Sequence, residues 1–350
     1  MTPTFPHKIA THSKHSLTGS ARFLVAATSV LLLSVAAAPL ATAQTSTLVV
    51  MNATGAKSPA GDTSKILPPL VQTDIASIKV GGKAATVKSF EPLLTGSHGI
   101  QLVIALDNGQ QIGILDQFDS IKKFMNSMPP NVEIAVGYMV QAHVRIVQGF
   151  TKDRALDGAA LRLPTRLEVS DTRNDTGGNP FGCLTDLATK WPDPDPTKIR
   201  AVLFFTDGLM RGNSVSQGGD ADNPNVTAAE VSLQRAGILP FPFYFMDPHP
   251  PTRGGGGLLE GPQNFSQLVR STSGGALYDG QYAPSSLDPL LDRLYRVLDS
   301  DVVVTLVSPG KPGDFKQLDI KSAKPEIKVT GPDNITLGNV LKTKYVPGAK

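Results

Sequence analysis

One cysteine, Cys183, stands alone in 350 residues, so the chain forms no internal disulfide and must be held by its apolar core. Histidine is nearly as scarce. Past residue 43 only His98, His143 and His249 remain, and no two are spaced for a shared metal. Net charge is +3, with basic residues scattered rather than striped, which excludes the electrostatic footprint of a nucleic-acid binder. Nor does any stretch beyond residue 43 have the apolar length to span a bilayer, so the mature chain is expected to have no membrane span.

What the chain does have begins at its N-terminus. A basic stretch ending in SARF runs into FLVAATSVLLLSVAAAPL and exits through Ala41-Thr42-Ala43 before Gln44. These are the three parts of a secretory signal peptide over residues 1–43, which predicts a secreted or periplasmic protein. An uncleaved anchor is the other reading of the same apolar run.

From 97 to 299 strand-like and helix-like stretches alternate. LVIAL, VEIAVGYM, AVLFF and FPFYFM are short apolar runs suited to a sheet covered on both faces. Between them, SIKKFMNSM gathers Ile121, Phe124 and Met125, AAEVSLQRAGI gathers Val231, Leu233 and Ala236, and SSLDPLLDRLYRVLDS repeats leucines behind Ser286 as a cap. The alternation predicts an α/β fold, a doubly wound and mostly parallel sheet of Rossmann type. Residues 44–96 and 300–350 read instead as small β elements, the first with a tight hairpin turn at Gly81-Gly82. Cys183 falls at a helix start in FGCLTDLATKW and reads as a small buried hydrophobe, and Trp191 of WPDPDP is expected to tuck against the domain.

Three pieces carry a family resemblance: LVIALDNGQQ as a first strand, GGNPFGCLTDL as a loop entering a helix, and KIRAVLFFTDG as a fourth strand. Together they resemble a von Willebrand factor type A domain. With DIASIKVGGKAATVKSFEP before and STSGGALYD behind, the chain is similar to the secreted bacterial von Willebrand factor A-related proteins. The resemblance implies three loops at the C-terminal edge of the sheet that build a metal-ion-dependent adhesion site, with one position of an oxygen octahedron left for an acidic partner. Carried over residue by residue, Asp107, Asn179 and Asp207 are the metal-site candidates. The two hydroxyl positions of the first-strand motif hold Gly109 and Gln111 instead. The site is therefore expected to be degenerate, with no cofactor or at most weakly held Mg²⁺, and its acids would accept hydrogen bonds from loop N–H groups.

The expected activity is non-catalytic. Loops at 107–113, 176–183, 207–224 and 247–263 would form a rim that grips a protein at a cell surface or in a periplasm, with Gly109, Gln111, Ser214 and Ser216 on it. Asp220, Asp222 and Asn223 have only a fragment of a calcium-loop spacing, and the glycine run 254–257 lacks the Lys-Ser/Thr of a phosphate loop. Two other classes compete: a structural scaffold in envelope assembly, and a subtilisin-like hydrolase using Asp107, His143 and the serines of STSGG at 271–275.

Overall fold

The computed structural model describes residues 43–59, 61–107, 114, 116–162, 179–208, 223–244, 260–277 and 285–341. Gly109, Gln111, Ser214, Ser216, Asp220, Asp222, His249, the glycine run 254–257 and most of the leader, for which the sequence raises expectations, lie outside the described residues.

Five strands form the central sheet: β5 (Ile100–Asp107), β6 (Val132–Val140), β7 (His143–Thr151), β8 (Ile199–Thr206) and β9 (Ile238–Tyr244). Their spatial order is β7-β6-β5-β8-β9, all parallel except the edge strand β7, which folds back on β6. Every residue of β8 and β9 is buried, which is why their sequences are continuous apolar runs and do not alternate. The period of two still decides which side chain faces which layer. Ile104, Leu106, Leu203 and Phe205 meet α1 (Phe118–Ser127) and, from the far end of the chain, α6 (Asp288–Ser300). Val103, Ala105, Val202 and Phe204 meet α3 (Pro180–Thr189), α4 (Pro224–Ala236) and α5 (Glu260–Arg270). Helices cover both faces, so the sheet is doubly wound as expected. A short α2 (Arg154–Ala160) follows β7.

The outer edge of β9 is closed by the STSGG segment. Gly275 and Leu277 N–H groups donate to the carbonyls of Pro240 and Pro242, at 3.1 and 2.8 Å. Because those carbonyls point outward, the missing proline N–H groups also fall on the outer side and cost no bond to β8. The approach is close enough that a Cβ on Gly274 would lie 1.9 Å from the Pro240 carbonyl oxygen.

The two flanks interleave. β1 (Gln44–Gly55), β4 (Thr86–Pro92), β10 (Val302–Pro309) and β12 (Ile327–Thr330) form one sheet in the order β12-β1-β10-β4. β2 (Ile75–Val80), β3 (Lys83–Ala84), β11 (Phe315–Ser322) and β13 (Asn334–Thr336) form a second, in the order β13-β11-β2-β3. Val49, Met51, Val304 and Leu306 of the first pack against Ile78, Val80, Leu318 and Ile335 of the second. On the opposite face of the first sheet, Val50 and Val303 join the cluster beneath α1 and α6. The Gly81-Gly82 hairpin is as expected, with φ of +55° and +76°, the conformation glycine adopts without strain.

Two sequence expectations need correction. Val231 is 36% exposed, and the buried stripe of α4 runs through Val226, Ala229, Leu233 and Ala236. Two residues along a helix turn about 200°, so Val231 and Leu233 cannot share a face. Ser286 is not the cap of α6, whose cap position is Leu287. Its Oγ accepts from Asp288 N–H at 3.2 Å, while Gln117 fixes the helix start by accepting from Leu287 N–H at 2.8 Å. Among the described residues no helix is long and apolar enough to cross a membrane.

Candidate functional site

β5 and β8 are neighbours in register, Leu106 beside Phe205, so both deliver their next residues to the same C-terminal edge of the sheet. Asp107 arrives half-buried and Asp207 follows buried, at 3% exposure. Between them Thr206, itself fully buried, donates its hydroxyl to Asp107 Oδ2 at 2.6 Å and accepts from Gly208 N–H at 3.3 Å. A backbone N–H, a hydroxyl and a carboxylate thus form a relay that polarises Asp107. In the sequence Thr206 is simply the residue before Asp207 in the TDG motif. Its side chain links two strand ends, and residue spacing alone does not show that.

The Asp207-Gly208 turn is pinned from behind by α5. Gly208 adopts φ +69°, its carbonyl accepts from Asn264 Nδ2 at 3.2 Å, and a Cβ there would meet the Phe265 ring at 2.8 Å. A Cβ on Gly261 would stand 2.1 Å from the Asp207 carbonyl oxygen. Phe265 also sits edge-on to Phe204 and Tyr244, at 6.0 and 6.2 Å between ring centroids, which backs the turn with an aromatic wall.

On the other side of Asp107 lies the start of α3. Asn179 Oδ1 accepts from Gly182 N–H at 2.8 Å, so this side chain caps the helix, with Pro180 in the first turn. Asn179 N–H donates to the carbonyl of Gln141 at 2.8 Å. Gln141, at φ +57°, and Ala142 make the two-residue β6–β7 turn, which therefore joins the rim in addition to the loops expected from the sequence. Cys183 is buried beneath it. Burial first, then the negative charges of Asp107 and Asp186, push its thiol far above the usual range, so it is inert packing as expected. Asp186 pairs with His143 Nδ1 at 3.2 Å and with Lys190 at 2.6 Å.

The remaining sequence candidates fall elsewhere. Asn223 caps α4, accepting from Asn225 N–H at 3.0 Å. Trp191 is fully buried, its indole N–H donating to Gln101 at 2.8 Å, as the sequence suggested. His98 lies 3.8 Å from Glu91. The Asp-His-Ser order does not become a constellation. His143 starts β7 at the C-terminal edge and engages Asp186, whereas Ser271 follows the C-terminal end of α5 and donates to Glu230.

An octahedral cation site needs convergent oxygens. Among the described residues Asn179 spends its side-chain oxygen on the helix cap and Asp107 engages one oxygen with Thr206. No cluster of three or more His, Cys, Asp or Glu suited to a metal occurs among them either. These donors do not by themselves assemble an ion cage.

No family model matches the chain, and no curated protein does. Among solved structures the chain is similar to the SpRpn10 von Willebrand A domain, with 11% identity and a TM-score of 0.36 over 55% of this chain and 94% of that one. At that distance no residue role carries across, and the Rossmann-type, doubly wound assignment rests on the strand order and the two covered faces of the sheet.

Proposed function

We propose that this chain is an exported, non-catalytic binding domain of the von Willebrand A kind, which holds a partner protein with the loops at the C-terminal edge of its central sheet and without a resident metal. The observation that supports this is the delivery of Asp107 and Asp207 by adjacent strands to one rim, with Thr206 orienting the half-buried Asp107. Ligands of open α/β sheets meet the carboxyl ends of the strands. A half-buried carboxylate there favours a Lys or Arg of the partner, through a charge-assisted hydrogen bond. The apolar leader supports export.

Two measurements test this. Ligand that binds only the folded state raises its melting temperature by mass action. Millimolar Mg²⁺ or Mn²⁺ is accordingly expected to leave the midpoint unchanged, and a rise of several degrees that vanishes in Asp107→Ala would overturn the metal-free rim. Capture from a native envelope extract, with and without chelator, addresses the partner. A single protein retained in chelator and lost with Asp107→Ala supports the reading. A stable multi-protein complex indifferent to Asp107→Ala would make the chain a scaffold instead.

A further inference from the structure

Asp301 stands where α6 ends and β10 begins, 1% exposed, with neither carboxylate oxygen bonded to any partner among the described residues. It lines a cavity of about 30 Å³ with Asn52, Thr54, Thr63, Ser300 and the backbone of Gly274-Gly275. That volume admits one or two water-sized occupants. Bare burial of a carboxylate costs several kcal/mol unless something neutralises it. A proton would remove the charge but leave an O–H donor and a carbonyl acceptor that need partners inside the same cavity.

The surroundings decide the sign of the occupant. The C-terminal end of a helix carries negative partial charge, so Asp301 at the end of α6 reinforces a field that repels anions and attracts cations. The walls are oxygen-rich. The Thr63 hydroxyl donates its proton outward to the Ala276 carbonyl at 2.9 Å, which leaves its lone pairs as acceptors. Two other charged groups line the space, Asp62 and Lys65. Asp62 lends a second acid whose Oδ1 takes the Ser64 N–H, and Lys65 is exposed and forms no ion pair among the described residues. Burial drives the Asp301 carboxyl well above its ordinary range.

We propose that this cavity is a cation site, in which Asp301 supplies the charge and neutral oxygens around it complete the shell of one hard ion of calcium type. Ca²⁺ suits it better than Mg²⁺ because it accepts irregular oxygen sets, whereas Mg²⁺ demands a near-ideal octahedron. The ion would tie four pieces at one seam: the end of β1, the connector at 61–67, the segment that closes β9, and the last turn of α6. It is distinct from the Asp107 rim.

The test is calorimetric titration of CaCl₂ into the chelator-treated full chain at pH 7, paired with thermal unfolding. One Ca²⁺ per chain is expected, with a midpoint rise of about 5 °C near saturation. Binding should be lost in Asp301→Asn, weakened at least tenfold in Thr63→Val, and unchanged in Asp107→Ala. Absence of binding up to about 10 mM, roughly tenfold beyond the weakest protein calcium sites, would overturn the proposal. So would binding that survives in Asp301→Asn. If Asp301→Asn fails to fold, Thr63→Val decides, and unaltered affinity there overturns the site. A calcium-independent loss of stability in Lys65→Met would show that the lysine, and no ion, neutralises Asp301.

Discussion

Thr206 donates a hydroxyl hydrogen bond to Asp107 from a position that water does not reach. Replacing it with valine keeps the shape and removes the bond, so Thr206→Val is expected to cost about 1–2 kcal/mol. In urea unfolding its effect and that of Asp107→Asn should fall short of additivity by roughly 1 kcal/mol, the sign of direct coupling. A second residue makes a claim about pH. Burial raises the Asp157 carboxyl to about 6, against the opposing pull of Arg154 at 3.0 Å. In the unfolded chain that acid ionises near 4. Between the two values the folded state holds more protons, so the Asp157 contribution to stability falls as pH rises from about 4 to about 6 and is level above. From pH 4 to pH 8 the stability of Asp157→Asn relative to the parent should improve by about 2 kcal/mol, readable from urea midpoints. At this scale the sequence told much less than the fold. Asp107 and Asp207 could be placed on one rim because their strands are continuous apolar runs. The Asn179-Pro180 pair carries a helix-cap signal of its own, and the resemblance, by giving that oxygen to a metal, obscures it.

Among elements, α5 and α2 carry glycines of opposite meaning. Gly261 lets α5 lie against the end of β8, and Gly261→Ala is expected to cost about 2–3 kcal/mol and to displace the Asp207 turn, because a methyl group there meets a fixed carbonyl. Gly158 in α2 faces only Lys122, at 3.7 Å, and Gly158→Ala should stabilise by about 0.5–1 kcal/mol through the unfolded chain. Thermal midpoints of the two variants separate these cases. Helix and strand identity was readable from periodicity in α1, α3 and the sheet, where whole turns are apolar. It misled at Val231, where an apolar residue merely lies on the exposed side of α4.

For the molecule as a whole, the β elements at either end are no appendage. Val50 and Val303 share a cluster with Ile104 and Leu294, so the first flanking sheet serves as a wall of the main core. Ending the chain at Asp299 would strip β10 from between β1 and β4. We expect that variant to lose near-ultraviolet circular dichroism throughout, with Trp191 reporting from the far side of the central sheet. A parent-like spectrum would mean the central sheet stands alone. Local patterning identified strands in both flanks, but their mutual pairing is set by contacts across almost the whole chain and has no local signature. The Thr45 hydroxyl bonds to the carbonyl of Gly310, 265 residues away. Such separation makes closure slow, since loop entropy must be met before distant contacts reward it. During synthesis β1 therefore waits with an unsatisfied edge until β10, at Val302–Pro309 of 350 residues, has emerged, and a helper that shields nascent strands would have its longest task there.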